Sequence, residues 1–234
     1  MLRALINLFS SDDPLALIAA DFSRMLAVTH EMTVTSGAIL FGGVPDAEAK
    51  TALYRTDIEV NRLERSVRKR LVTHLSMPGN QRDVPYCLAL MSLVKDVERL
   101  GDYAKNLAEI PDIHPEPLPD DELARELHEI RAGVEATFAE SLAVVGKFDH
   151  SRAVSLIEQG RLLTRRCEAV VHRAAHSSYD AGTTAAVVLA ARFYKRIAAH
   201  VLNVLSSVVM PLHKLDYYDE DEIGRPAAPA ARKE

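Results

Sequence analysis

The residues best placed to do chemistry are Glu98 and Asp102, in the run Glu98-Arg-Leu-Gly-Asp102. Four apart on a helix, they share one face, and like charges at that spacing repel by roughly 0.2–0.5 kcal/mol. A cation between them would turn that cost into a site. The preceding segment offers partners: Asp57, Asn61 and Glu64 recur at i, i+4 and i+7 beside an apolar row of Leu53, Val60, Leu63, Val67 and Leu71. If the two helices pack antiparallel, Asp57 and Asn61 would face Glu98 and Asp102. That would make an all-oxygen cluster suited to hard or borderline cations such as Mg, Mn or Fe. Spacing alone favours a solvated acidic face, because Glu98 and Asp102 point largely away from the stripe Leu90, Leu93, Val97, Leu100, Ala104 and Leu107. Salt bridges to Arg62, Arg65 and Arg68 are the other competing arrangement.

Other chemistries find little support. No Glu-x-x-His spacing of a di-iron bundle is present, nor GxSxG, HExxH or P-loop spacing. Gly42-Gly43 closes a helix and is not a phosphate cradle. His172 follows Glu168 by four and reads as a surface pair. Cys87 and Cys167 lie in helical segments without a CxxC neighbour, which excludes zinc fingers and disulfide scaffolds and fits buried thiols in a reducing compartment. A metal-dependent hydrolase would also need a general base, and no candidate is evident.

The elements that must position these residues are helices. Gly (10) and Pro (11) are few in 234 residues, Trp is absent and aromatics make up 6%, against the needs of a β-sandwich. The breaks predict helices over about 14–42, 46–75, 85–110, 120–146, 149–175 and 183–210. Between the third and fourth, PDIHPEPLP (111–119) packs four prolines into nine residues and is the expected boundary. An offset of 97 lays residues 93–108 on 190–205. Arg99 then meets Arg196, Asn106 meets Asn203, Leu100 meets Ile197, Leu107 meets Val204, and His200 takes the place of Tyr103. The expectation is an internally duplicated all-α chain of two tandem three-helix bundles, 13–110 and 120–212, side by side. A short amphipathic segment (1–12) would precede them and a flexible tail (213–234) would come after.

DVERLGDYAKNLAEI (96–110) resembles the signature of the PhoU family of phosphate-transport accessory and signalling proteins, and TDIEVNRLE (56–64) resembles its partner motif. The resemblance implies two three-helix bundles with surface metal clusters held by paired acid-x-x-x-acid motifs. Carried over, the ligands are Asp57, Asn61, Glu98 and Asp102, with Asn61 departing from the acidic pattern but still offering a carbonyl oxygen. The implied cofactor is a divalent or trivalent ion (Fe, Mn, Mg or Zn) in the first bundle only. In the second, Lys195 and Ala199 replace Glu98 and Asp102. Aligning Glu64 with Glu168 puts Arg161 and Arg165 opposite Asp57 and Asn61. No cation site is expected there. Arg161, Arg165 and Lys195 would instead form a basic patch for an anion or acidic partner, or be ordinary solvated side chains.

The implied function is non-enzymatic: control of phosphate uptake and signalling by docking to a phosphate transporter or sensor histidine kinase, with metal occupancy as a tuning signal and a homodimer as the working unit. The alternatives are an accessory subunit of another phosphate permease and a metal-free helical adaptor. A net charge of −5 argues against nucleic acid as partner. No apolar run reaches 18 residues, so membranes are reached only through protein partners and the expected location is the cytoplasm. Met1, Leu2, Leu5, Ile6, Leu8 and Phe9 would make an amphipathic segment about two turns long, marginal alone and a poor anchor with one cation.

Overall fold

The computed structural model describes residues 14–42 and 47–218. The expected segment 1–12 and the tail beyond Tyr218 lie outside the described residues. Among the described residues, six long helices run in order: α1 Pro14–Phe41, α2 Ala47–Ser76, α3 Val84–Ile113, α4 Glu122–Lys147, α5 His150–Ala175 and α6 Ala181–Val209. Single 3-10 turns at Gln81–Asp83 and Leu212–Lys214 stand before α3 and after α6. The described residues contain no strand, and no helix among them is long and apolar enough to cross a membrane.

Local chemistry explains the starts. Asp121, Asp149 and Asp180 sit in extended conformation before α4, α5 and α6, and each carboxylate accepts from a first-turn backbone N–H. Such caps satisfy donors that have no partner within the helix. The proline run ends α3 later than expected: the helix continues through Pro111 to Ile113, and the His114 N–H donates to the Ile110 carbonyl. A proline in the last turn removes one hydrogen bond without stopping the two residues beyond it.

In the first bundle α1 packs on α2 and α3; in the second α6 packs on α4 and α5. The bundles join through α3 against α6 and α1 against α4, and the buried apolar side chains form one continuous core across all six helices. α1 carries Thr29, Thr33 and Ser36 into this core. Each hydroxyl donates to a carbonyl one turn back, at 3.1, 2.9 and 2.6 Å, so none of the three is an unmet buried donor.

The duplication is visible in the α3–α6 contact. Asp96 accepts from His200 Nδ1 at 2.7 Å, and the Tyr103 ring lies 6.3 Å from Phe193. Under the 97-residue offset these contacts interchange, and the stack of Tyr103 on His200 at 5.6 Å maps onto itself. The repeats are therefore related by a local two-fold axis passing near that stack, with α3 and α6 antiparallel. The paired positions Leu100 and Ile197, and Leu107 and Val204, are all fully buried.

Candidate functional site

The inner seam of α2 runs Leu53, Asp57, Val60, Glu64, Val67, Leu71, alternating steps of four and three. This is the spacing of a helix seam that faces a partner helix. Asp57 and Glu64 thus occupy core positions, each 8% exposed, rather than bordering the apolar row. Leu63 is only partly buried and packs on the edge of the core.

Polar rungs tie α2 to antiparallel α3 along this seam. Lys50 bonds Asp112, Tyr54 donates to Glu109, and Lys105 Nζ donates to Asp57 Oδ2 at 2.9 Å. The bond to Glu109, then burial, push the Tyr54 phenol up to about 12. The third rung is the candidate site. Lys105 Nζ also lies 3.3 Å from Asp102 Oδ1, so one ammonium bridges a carboxylate from each helix. Burial alone would lower the lysine pKa. Hydrogen bonds and charge from Asp57 and Asp102 more than offset this, and the group stays protonated above its ordinary value.

The four residues expected as ligands divide in the structure. Asp57 and Asp102 meet on Lys105, and Asn61 Nδ2 donates to Asp57 Oδ2 at 3.2 Å. Glu98 stands apart, 2.7 Å from Lys95 Nζ and 3.8 Å from Arg99 Nε, while Arg99 also bonds Asp102 at 3.1 Å. Glu64 pairs with Arg68 one turn on at 3.0 Å, in a geometry too bent for a hydrogen bond. No three acidic, histidine or cysteine side chains come together as a metal-binding group among the described residues. The donor set, as the helices present it, does not fit a resident divalent ion: its central position holds an ammonium.

Lys105 went unread in the sequence, although its place three residues after Asp102, on the same face, was a usable signal. The second-bundle basic residues are largely engaged. Lys195 reaches from α6 to Glu168 on α5, and this contact holds the Glu168 carboxyl below its usual range. Arg161 donates to the Tyr218 carbonyl and lies over its ring at 5.6 Å. Arg165 is exposed one turn further along. His172 is exposed, and His200 lies between α3 and α6.

A hollow of about 930 Å³ lies at the far end of the first bundle among Leu17, Ile18, Lys69, His74, Met77 and Arg82. It holds a His–Asp pair, but both ring nitrogens of His74 face partners, Asp83 at 2.9 Å and Asn80 at 3.4 Å. Neither is free to act as a base. Both cysteines are buried, and burial raises Cys87 to about 11 and Cys167 to about 12, far from reactive thiolates.

Residues 22–110 match the family model of the PhoU domain. A curated relative, the phosphate-specific transport system accessory protein PhoU homolog of Synechocystis sp., is 32% identical over 94 residues. That match spans 40% of this chain and 41% of the relative's length. The fold likeness is broader. The crystal structure of PhoU from Pseudomonas aeruginosa superposes with a TM-score of 0.75 at 18% identity, covering 83% of this chain and 95% of that one. The phosphate transport system regulatory protein PhoU from Streptococcus pneumoniae gives 0.72 at 17% identity, covering 86% and 94%. Residues 22–110 thus match the PhoU domain, and the chain as a whole has the fold of the PhoU crystal structures.

Proposed function

We propose that this chain is a non-enzymatic regulator of phosphate uptake and phosphate signalling that works by docking to a phosphate transporter, a sensor kinase or both. The observation that carries the reading is the PhoU domain over 22–110, shared with a relative named as a phosphate-transport accessory protein. The side-chain chemistry is compatible with it. The polar clusters described above are closed on themselves by ion pairs, and none joins a nucleophile to a free base. Protein contact is then the means of action, with membranes reached through the partner and the cytoplasmic face as the place of work. Family analogy extends this to a homodimer, which light scattering on the purified chain would check.

The test is deletion of the gene in its own host, with phosphate uptake and phosphate-starvation gene expression monitored in rich and poor phosphate. Altered uptake or altered expression, restored by the wild-type chain, is the expected result. Unchanged values for both in the deletion strain would reject the reading. Co-purification with the transporter, compared with the sensor kinase, then separates the two modes of docking.

A further inference from the structure

Two carboxylates brought together on facing helices need a counter-charge. Asp57 lies in the apolar seam and Asp102 is only partly exposed, so water alone does not supply it. Lys105 reaches back from one turn beyond Asp102 and sets its ammonium 2.9 Å from Asp57 Oδ2 and 3.3 Å from Asp102 Oδ1. The Asn61 amide nitrogen, a donor, points at Asp57. Glu98 has its own cations in Lys95 and Arg99. Each of the three carboxylates has a positive or donating partner, and the Asn61 amide itself donates to Asp57. A divalent ion entering between Asp57 and Asp102 would meet a fixed positive charge and would have to expel it from a pocket where the lysine is 19% exposed.

We propose that the ammonium of Lys105 is the resident cation of the α2–α3 acidic pair, an internal replacement for a metal ion that keeps the first repeat closed whatever the metal supply. The second repeat has a related device. Lys195 stands where the internal alignment puts Glu98, and it crosses from α6 to Glu168 on α5, the position aligned with Glu64. Each repeat thus joins its second and third helices with a lysine of the third helix and an acid of the second. The proposal does not depend on the phosphate reading, since its tests need neither transporter nor kinase.

The experiment uses the purified full chain, stripped with chelator and titrated calorimetrically with Mn²⁺, Fe²⁺ (without oxygen), Mg²⁺ and Zn²⁺, with thermal melting in parallel. Wild type is expected to show no saturable binding at this site and the same melting temperature with chelator or metal. Lys105→Met is expected to melt lower than wild type in chelator. Mn²⁺ is expected to narrow that gap, and Asp57→Asn in the same background to abolish the gain. Saturable binding by wild type that Asp102→Asn removes would overturn the proposal, as would a Lys105→Met chain that melts like wild type. Should Lys105→Met fail to fold, the wild-type and Asp102→Asn titrations decide alone, and Lys105→Arg, which keeps the charge, is expected to fold and to remain blind to metal.

Discussion

Asp216 is held by the fold in an unfavourable ionisation state. Its φ of 72° lies in the left-handed region, which Asp and Asn enter more readily than most residues. Its Oδ1 is buried without a hydrogen-bond partner among the described residues. Burial raises its pKa, the Asp96 carboxylate raises it further, and His200 offsets part of the rise. A carboxyl whose folded pKa exceeds its unfolded value favours the folded state when protonated. That contribution is present below the unfolded pKa and is lost as pH rises through the folded one. At neutral pH the ionised group therefore destabilises the native chain. Asp216→Asn, which keeps the left-handed tolerance and removes the charge, should melt higher than wild type at pH 7. The advantage should shrink as pH falls through the folded pKa toward 4; calorimetry across that range checks it. An advantage independent of pH would point to shape rather than charge.

Helix pairs set tighter limits than single residues do. At Gly160 on α5 a Cβ would come within 2.5 Å of Leu202 Cδ2 on α6, a leucine with no exposed surface to retreat into. At Gly146 near the end of α4 a Cβ would meet nothing within 4 Å. Intrinsic propensity favours Ala over Gly by about 1 kcal/mol in a helix, while overpacking a core costs about 1–3 kcal/mol. The same substitution should thus change sign with position. Gly146→Ala is expected to stabilise by up to about 1 kcal/mol, and Gly160→Ala to destabilise by about 1 kcal/mol net, read from denaturant midpoints. Equal effects would mean that α5 and α6 approach less closely than described. The α2 seam obeys the same logic. Its heptad spacing was present in the sequence, yet Asp57 and Glu64 looked like border residues, because acids are seldom assigned to an inner face. They can stand there because cations answer them, Lys105 from α3 for Asp57 and Arg68 on α2 itself for Glu64.

The two bundles share one core, and a polar lock beside the local two-fold pins them together. Asp96, 8% exposed, accepts from His200 Nδ1 and Asn203 Nδ2, each at 2.7 Å. Asp96→Ala would strand both donors between the bundles, and an unmet buried polar group costs about 1–3 kcal/mol. A loss of about 2–3 kcal/mol is expected, with Asp96→Asn milder because it keeps an acceptor. Unfolding should proceed in a single calorimetric transition with matching calorimetric and van't Hoff enthalpies, since no apolar boundary separates the halves. Two resolved transitions would show that the α3–α6 interface is weaker than its packing indicates.

Periodicity, proline and glycine placement, and aspartate caps are governed by neighbours a few residues away. Six helices, their approximate ends, the duplication and the PhoU-like motif could accordingly be read from the linear chain. The end of α3 was misplaced by three residues, because a last turn survives a proline only when the residues beyond it can keep helical geometry. The charge pairing was of another kind. Nothing in the spacing of Asp57, Asn61, Glu98 and Asp102 says whether a metal ion, solvent or a lysine answers the acids. The answer depends on the register of α2 against α3 and on how far a flexible four-carbon stem can reach between them. Likewise, Tyr103 and His200 are equivalent in the sequence, but only the antiparallel packing of α3 on α6 lays one upon the other and makes the shared core a single unit.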